Sequence, residues 1–296
     1  MDHRNNPLSA DKSSQNPTTK PKPRPLSPPP TTPTSRPHIV ILSLNGEPTY
    51  PGPDHPSAHF NDALAEALSI HFNRRLMLHH LTTPETALRH LQKCTNNDAP
   101  IAILIADSAI TKPESEYRTV TTQLGEYAQS GGIVVLLSSF SEATGVVLVP
   151  QDLNRFFSEC MGLAWKYSRV TRTRGRFKED VHGKKFPALP FEFEFGGMQL
   201  ANVPLRERVY SNLGGYLEEN LTPVAWGRVG RGAVGYCCAS EESEAAVEVI
   251  VGMCRMGARQ EGRPELGVEI PERWCRDVEV WTEEDNDDSE DEQRCF

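Results

Sequence analysis

The sequence predicts an α/β fold in which helices cover both faces of a mostly parallel, doubly wound sheet, with a small antiparallel β-rich extension. Two observations indicate this class. Short apolar runs alternate with segments of helical periodicity through the first half of the chain, which is the order that βαβ units produce. Beyond Pro150 the side-chain pattern changes to a period of two, which is typical of half-exposed strands.

Four strands, most of them apolar, build the predicted parallel sheet. They are expected at 38–44, 75–81, 99–107 and 131–137. Such runs fit strands that are covered by helices on both faces. The intervening helices are predicted at 58–72, 84–93 and 114–129. The second of these begins with Thr83 as the cap and Pro84 in the first turn.

The extension is predicted from two strands with alternating faces. Leu153 to Cys160 forms one more helix, and the arginine-rich strand and the phenylalanine-rich strand follow it. Phe191, Phe193 and Phe195 share one face of the second strand, and Glu192 and Glu194 share the opposite face. A glycine-rich hairpin over 223–238 and a helix over 244–256 complete the predicted fold.

The two ends of the chain differ from the middle in composition. Residues 1–37 are rich in proline and poor in aliphatic residues, so a disordered tail is predicted. Residues 276–296 contain a run of eight acidic residues and are predicted to be a second disordered tail. The ordered domain is therefore expected over 38–275. The acidic tail and the net charge of −9 argue against specific nucleic-acid binding.

Cysteine usage and hydropathy indicate the compartment. The seven cysteines are odd in number and include no C-x-x-C pair, which indicates buried thiols in a reducing compartment rather than disulfides or a zinc site. No apolar run reaches the length of a membrane span, and no secretory signal is recognisable. We therefore expect a cytoplasmic or nuclear protein without a membrane anchor, a metal or a cofactor.

The order of elements resembles the class I glutamine amidotransferase-like family in the broad sense, with its trehalose-utilisation-like and DJ-1-like branches. The residues that carry the resemblance are 38–44 with Gly46 and Glu47, 131–135, and the late hairpin 222–236. A second pattern, 152–157 with 162–167, is similar to fungal members of this fold. The resemblance implies a three-layer, flavodoxin-like sheet.

The family's chemistry needs a cysteine in the turn that follows the fourth strand, usually with a histidine as base. Here Ser138, Ser139 and Ser141 occupy that turn, and the G-x-S-x-G pattern of a serine nucleophile is missing. The sequence therefore predicts a non-catalytic or catalytically diverged intracellular protein that binds a protein partner or a small-molecule ligand. The alternative is a hydrolase or amidotransferase-like enzyme that uses one of these serines with Glu47.

A ligand crevice is predicted beyond the carboxyl ends of the parallel strands, where open α/β sheets bind their ligands. Its candidate residues are Asn45, Gly46, Glu47, Asp107 and Ser108. Two buried carboxyl groups there would have different pKa values and could perform acid–base chemistry. In the alternative interpretation, Asp107 and Ser108 only cap the following segment, and Glu47 is solvated.

A basic stripe is the second candidate site. Arg172, Arg174, Arg176 and Lys178 alternate along one predicted strand and would project from one face. This pattern predicts a site for an anion or an acidic partner. In the alternative interpretation, Glu192 and Glu194 lie across a hairpin from Arg174 and Arg176 and neutralise them as cross-strand pairs.

Overall fold

Nine strands form two sheets in this computed structural model, which describes residues 37–44, 56–94, 99–137, 150–183, 185–186, 189–213, 220–238 and 243–260. The strands are β1 (His38–Leu42), β2 (Met77–Leu81), β3 (Ala102–Ile105), β4 (Ile133–Leu136), β5 (Lys166–Phe177), β6 (Glu192–Ala201), β7 (Tyr210–Asn212), β8 (Val224–Val229) and β9 (Gly232–Cys237). The larger sheet has the order β2-β1-β3-β4-β9-β8, and the smaller has the order β6-β5-β7. In the larger sheet all neighbours are parallel except β8, which pairs antiparallel with β9.

Helices cover both faces of the larger sheet. They are α1 (Pro56–His71), α2 (Pro84–Lys93), α3 (Ser115–Ser130), α4 (Pro150–Arg155), α5 (Glu179–His182) and α6 (Glu244–Gln260), and a π-helical turn, Phe156–Cys160, continues α4. The start of α2 agrees with its sequence, because Thr83 caps it and its Oγ1 accepts a hydrogen bond from the Thr86 amide. None of the helices in the described ranges has both the length and the hydropathy needed to cross a membrane.

The hydrophobic core lies in two layers, one on each side of the larger sheet. On one side Val40 of β1 belongs to the same cluster as Leu91 of α2 and Leu124 of α3. On the other side the β1 residue Ile39 belongs to a cluster with Leu68 of α1 and Ile250 of α6. The alternation of β1 between the two layers explains why its sequence from Ile39 to Leu42 is apolar without interruption.

The predicted α/β class is confirmed, whereas the finer prediction of a flavodoxin-like, amidotransferase-like sheet is wrong. The last parallel strand, β9, enters the sheet through an antiparallel hairpin with β8 instead of a crossover helix. The predicted antiparallel extension is present as the smaller sheet, in which β5 has 12 residues and β6 has 10. Two isolated bridges connect the sheets. Leu200 of β6 pairs with Thr222, just before β8, and Arg208, just before β7, pairs with Ala225 of β8.

Candidate functional site

The predicted crevice corresponds to the place where the direction of winding changes. From β1 the chain passes to β2 on one side and then to β3 on the other side of β1. The carboxyl ends of β1 and β3 therefore form a topological switch point, which is the usual ligand site in open α/β sheets. Ser43 follows β1 directly, and Asp107 and Ser108 follow β3 after one residue.

Polar groups are buried at these strand ends. Ser43, Asp107 and Ser108 are no more than 2% exposed, although they lie at the edge of an otherwise apolar sheet. The Asp107 carboxylate accepts a hydrogen bond of 2.9 Å from the Ala109 amide. It thereby caps the short helical turn Ser108–Thr111, as the alternative interpretation expected. The Ser108 hydroxyl, in contrast, has no hydrogen-bond partner among the described residues. Burial of such a group costs free energy unless a ligand or water satisfies it.

A serine–histidine contact lies beside these residues. The Ser43 hydroxyl and Nε2 of His80 are 3.0 Å apart, and the Ser43 amide donates to the Leu81 carbonyl, which holds the two strand ends in register. Burial lowers the pKa of His80 below its ordinary value. The imidazole is therefore neutral at pH 7 and able to accept a proton.

Sequence reasoning missed this contact. Neighbouring side chains of a strand point to opposite faces, so the dipeptide His79–His80 does not by itself indicate a shared site. That alternation directs His79 and His80 apart, and only the pairing of β2 with β1 brings His80 to Ser43. A serine directly after one strand and a histidine near the end of another indicate such a contact only weakly, because the sequence does not show which strands pair.

The remaining predicted residues of this edge, Asn45, Gly46, Glu47, Ser138, Ser139 and Ser141, lie outside the described residues. His80 is on β2, and β4 is the third strand along from β2 in the larger sheet. At a strand spacing of about 4.8 Å, these two strands are about 14 Å apart, so His80 cannot act directly as a base for a group on β4.

The described part of the chain offers little for thiol or metal chemistry. Burial raises the pKa of Cys237 and of Cys254 to about 12, and it also raises the pKa of Cys160. These thiols are protonated at neutral pH and are poor nucleophiles. Within the described ranges, no group of three or more histidine, cysteine or acidic side chains is arranged to hold a metal ion.

The basic stripe has the predicted alternation. Arg172, Arg174 and Arg176 on β5 are exposed, while Thr173 and Gly175 between them are buried. Glu194 lies opposite Arg174, and Glu192 lies opposite Arg176. Lys178 follows the strand and immediately precedes α5. The stripe belongs to the smaller sheet, whereas the Ser43–His80 contact belongs to the larger one.

Comparisons with known proteins give fold neighbours only. No family model matches the chain, and no curated protein matches it. A β-galactosidase from Bacillus circulans sp. alkalophilus matches with a TM-score of 0.46 at 12% identity, over 76% of this chain and 31% of that one. A β-galactosidase from Halorubrum lacusprofundi matches with a TM-score of 0.44 at 16% identity, over 77% and 30%. A cytoplasmic protein from Salmonella typhimurium LT2 matches with a TM-score of 0.45 at 12% identity, over 74% and 98%.

These findings correct two predictions. The amidotransferase-like assignment is wrong, because none of these neighbours is named as an amidotransferase and no family model supports it. The prediction of a non-catalytic protein of that family is corrected together with the family assignment on which it rests. The two enzymes among these structures are named as β-galactosidases. The chain spans about a third of the length of these β-galactosidases, and at this level of similarity their reaction is a property of those enzymes alone.

Proposed function

We propose that this chain is a hydrolase in which Ser43 is the nucleophile and His80 is the general base. The observation that carries the proposal is the 3.0 Å contact between the Ser43 hydroxyl and Nε2 of His80. A hydroxyl is a weak nucleophile until an adjacent base removes its proton, and this distance is within the range over which such a transfer occurs.

The electrostatics of the pair favour this role. Because burial lowers the pKa of His80, the imidazole is unprotonated over the neutral range. As the bond between Ser43 Oγ and the substrate's acyl carbon forms, the hydroxyl proton passes to Nε2 of His80. The imidazolium then gives this proton to the leaving group. A water molecule, deprotonated in the same way, releases the acyl group and regenerates the free serine.

Neighbouring groups at the switch point would orient the substrate. The Ser108 hydroxyl is buried and has no partner among the described residues, so it is suited to donate a hydrogen bond to a substrate oxygen. The Asp107 carboxylate fixes the turn that carries Ser108, because it accepts the Ala109 amide. The proposed substrate is accordingly a carboxylic ester or a related acyl compound with an oxygen to be hydrogen-bonded.

Access to Ser43 sets the expected rate. Ser43 is fully buried, so only the fraction of molecules in which the crevice opens can react. The apparent rate is the intrinsic rate multiplied by that fraction. Slow turnover of small activated esters is therefore expected, with faster turnover for substrates whose binding favours the open form.

The test uses a fluorophosphonate probe, which forms a covalent bond with activated serines, and p-nitrophenyl esters as substrates. Labelling should map to Ser43 and should disappear in Ser43→Ala and in His80→Gln. Ser115→Ala, at the exposed start of α3, is the matched control and should label normally. Circular dichroism and thermal unfolding establish that each variant is folded.

Variants of Ser138, Ser139 and Ser141 distinguish the proposal from the other serine candidates. If labelling survives Ser43→Ala but disappears when one of these three becomes alanine, the nucleophile is in the turn after β4 and the proposal is wrong. Absence of both labelling and esterase activity from the folded protein would also reject it.

A further inference from the structure

The exposed face of β5 carries three arginines in a row. We call Arg172, Arg174 and Arg176 the arginine face. The side chains of Arg174 and Arg176 are 62% and 53% exposed, and Arg172 is exposed as well. β5 is the central strand of the smaller sheet, with β6 on one side and β7 on the other. The face is therefore a surface presented by a paired strand rather than a mobile loop.

The neutralisation of these charges within the sheet is uneven. Nε of Arg176 lies 2.6 Å from Oε1 of Glu192, and its guanidinium also lies over the ring of Phe191, at 5.6 Å from the centroid. Arg174 is only loosely paired, at 3.9 Å from Glu194. Arg172 faces Gly196, which has no side chain. The positive charge left uncompensated by cross-strand partners therefore increases from Arg176 through Arg174 to Arg172.

The chain contains a segment of complementary charge. Eight carboxylates occur between Glu283 and Glu292, without a basic residue among them. The described part of the chain ends with α6 at Gln260, so residues 261–282 separate the domain from this segment. A chain of that length spans up to about 70 Å when extended, which exceeds the size of a domain. The linker of residues 261–282 is therefore long enough for the acidic segment to contact the arginine face of the same chain.

We propose that the arginine face binds the acidic segment Glu283–Glu292 of the same chain and is thereby shielded from other polyanions. Guanidinium groups are the side chains best suited to carboxylates, because they offer several donors in a fixed plane. Each exposed pair contributes little, so the contact depends on several simultaneous pairs and on the high local concentration of a tethered segment. Such a contact is readily displaced by a competing polyanion or by salt.

Heparin, a polyanion, is the probe for the first experiment, with the full-length chain throughout. Replacement of the eight acidic residues by serine or asparagine should raise heparin affinity by at least about fivefold at 0.1 M salt, where the Debye length is about 10 Å. Arg172→Glu with Arg174→Glu should remove this gain. The charge-matched control is Arg118→Glu with Arg231→Glu, both exposed and outside the smaller sheet, and it should retain most of the gain.

Single arginine variants rank the contribution of each arginine to heparin binding. Single reversal of Arg172 should reduce heparin binding of the tail-neutralised chain more than reversal of Arg176, because Glu192 already compensates Arg176. Circular dichroism verifies the fold of each variant. Unchanged heparin affinity after tail neutralisation overturns the proposal. An equal loss in the Arg118/Arg231 control overturns it as well, since the effect would then reflect net charge alone.

Carbodiimide coupling tests whether the contact is intramolecular. This reagent joins amines to carboxylates in direct contact, and Lys178 provides an amine next to the arginine face. In a mixture of isotopically light and heavy chains, tail peptides coupled to Lys178 should join only light to light or heavy to heavy. Their yield should fall severalfold in 1 M salt, where the Debye length is about 3 Å. Mixed pairs would show binding between copies and would overturn the proposed contact within one chain.

Discussion

The hydroxyl of Tyr236 donates a hydrogen bond to the carbonyl oxygen of Met198, and this 2.5 Å contact joins β9 of the larger sheet to β6 of the smaller one. Both residues are at most 2% exposed. Burial raises the pKa of Tyr236 well above its ordinary value, so the phenol remains a donor at any pH the fold tolerates. The contact is therefore a permanent polar link inside an apolar interface.

Removal of this hydroxyl should cost stability without changing the shape of the core. Tyr236→Phe keeps the ring but leaves the Met198 carbonyl without its donor, and a buried unsatisfied acceptor costs about 1–3 kcal/mol. Urea unfolding measures the change. Tyr117→Phe, on the half-buried side of α3, is the control and should change stability by less than about 0.5 kcal/mol. Equal stability of Tyr236→Phe and the wild type would show that water replaces the lost donor.

His182 should make the protein less stable in mild acid. Burial, together with the positive charges of Lys185 and Lys178, lowers the pKa of this fully buried histidine to about 4. The unfolded chain binds a proton near pH 6.5 while the folded chain does not, so stability decreases as the pH falls from about 6.5 to about 4. The shift corresponds to about 3 kcal/mol over this window.

Variants isolate this contribution of His182. His182→Gln should flatten the slope of unfolding free energy between pH 6.5 and 4, whatever its effect on absolute stability. Lys185→Gln should reduce the slope, because removal of a nearby positive charge raises the pKa of His182. A His182→Gln variant with the wild-type slope would assign the acid sensitivity to other groups.

Glu248 should have the opposite pH dependence. Burial on α6 and the charge of Glu244, one turn earlier, raise the pKa of Glu248 to about 7. The folded chain then retains a proton that the unfolded chain releases near pH 4.5, so stability decreases as the pH rises from about 4.5 to 7. Glu248→Gln resembles the protonated carboxyl group and should be more stable than the wild type by about 1–2 kcal/mol at pH 8.

The pH ranges over which His182 and Glu248 change the free energy of unfolding overlap, so the two variants can be compared in one pH series. Between pH 4.5 and 6.5 the His182 and Glu248 contributions have opposite signs, so the wild-type profile should be nearly flat there. Glu248→Gln should reveal a positive slope with pH, and His182→Gln a negative one. If both single variants keep the wild-type profile, neither group titrates differently in the folded and unfolded chains.

Gly232 should not tolerate a side chain. A Cβ at this position would lie 2.1 Å from the Gly132 carbonyl oxygen and 2.3 Å from the Ala128 carbonyl oxygen, and backbone atoms cannot move aside cheaply. Gly232→Ala should lower the free energy of unfolding by about 2–4 kcal/mol. At Gly162, which has a φ of +66° and open space around its Cβ position, Gly162→Asn should cost less than about 1 kcal/mol. Similar losses in both variants, measured by thermal unfolding, would contradict the steric explanation.

Local patterns were sufficient to predict much of the secondary structure. The helix predicted over 84–93 has those bounds in the structure, because a threonine cap and an N-terminal proline define its start. The strand that contains Arg172 to Arg176 was predicted from its period of two. β7 was not predicted, because three residues are too few to show a period. Its pairing with β5 is a tertiary interaction that no local pattern contains.

The candidate site was only partly predictable. The switch-point position of Asp107 and Ser108 follows from the strand order that βαβ units generate, so the sequence could indicate it. The Ser43–His80 contact depends on the register between β1 and β2, and a shift of one residue would direct His80 to the other face. The fold architecture was mispredicted for a related reason. A hairpin signal does not specify which of its two strands joins the parallel sheet.

The pairing of β4 with β9 has a consequence for synthesis of the chain. β4 ends at Leu136, whereas its partner begins at Gly232, and the whole smaller sheet is made between them. At a translation rate of about 5–20 residues per second, the edge of β4 that pairs with β9 stays unpaired for about 5–20 s. During that interval β4, a fully apolar strand, is an open edge that can pair with other chains. Ribosome-associated chaperones would therefore be needed most while residues 137–231 emerge, and pauses in translation within this stretch should increase aggregation.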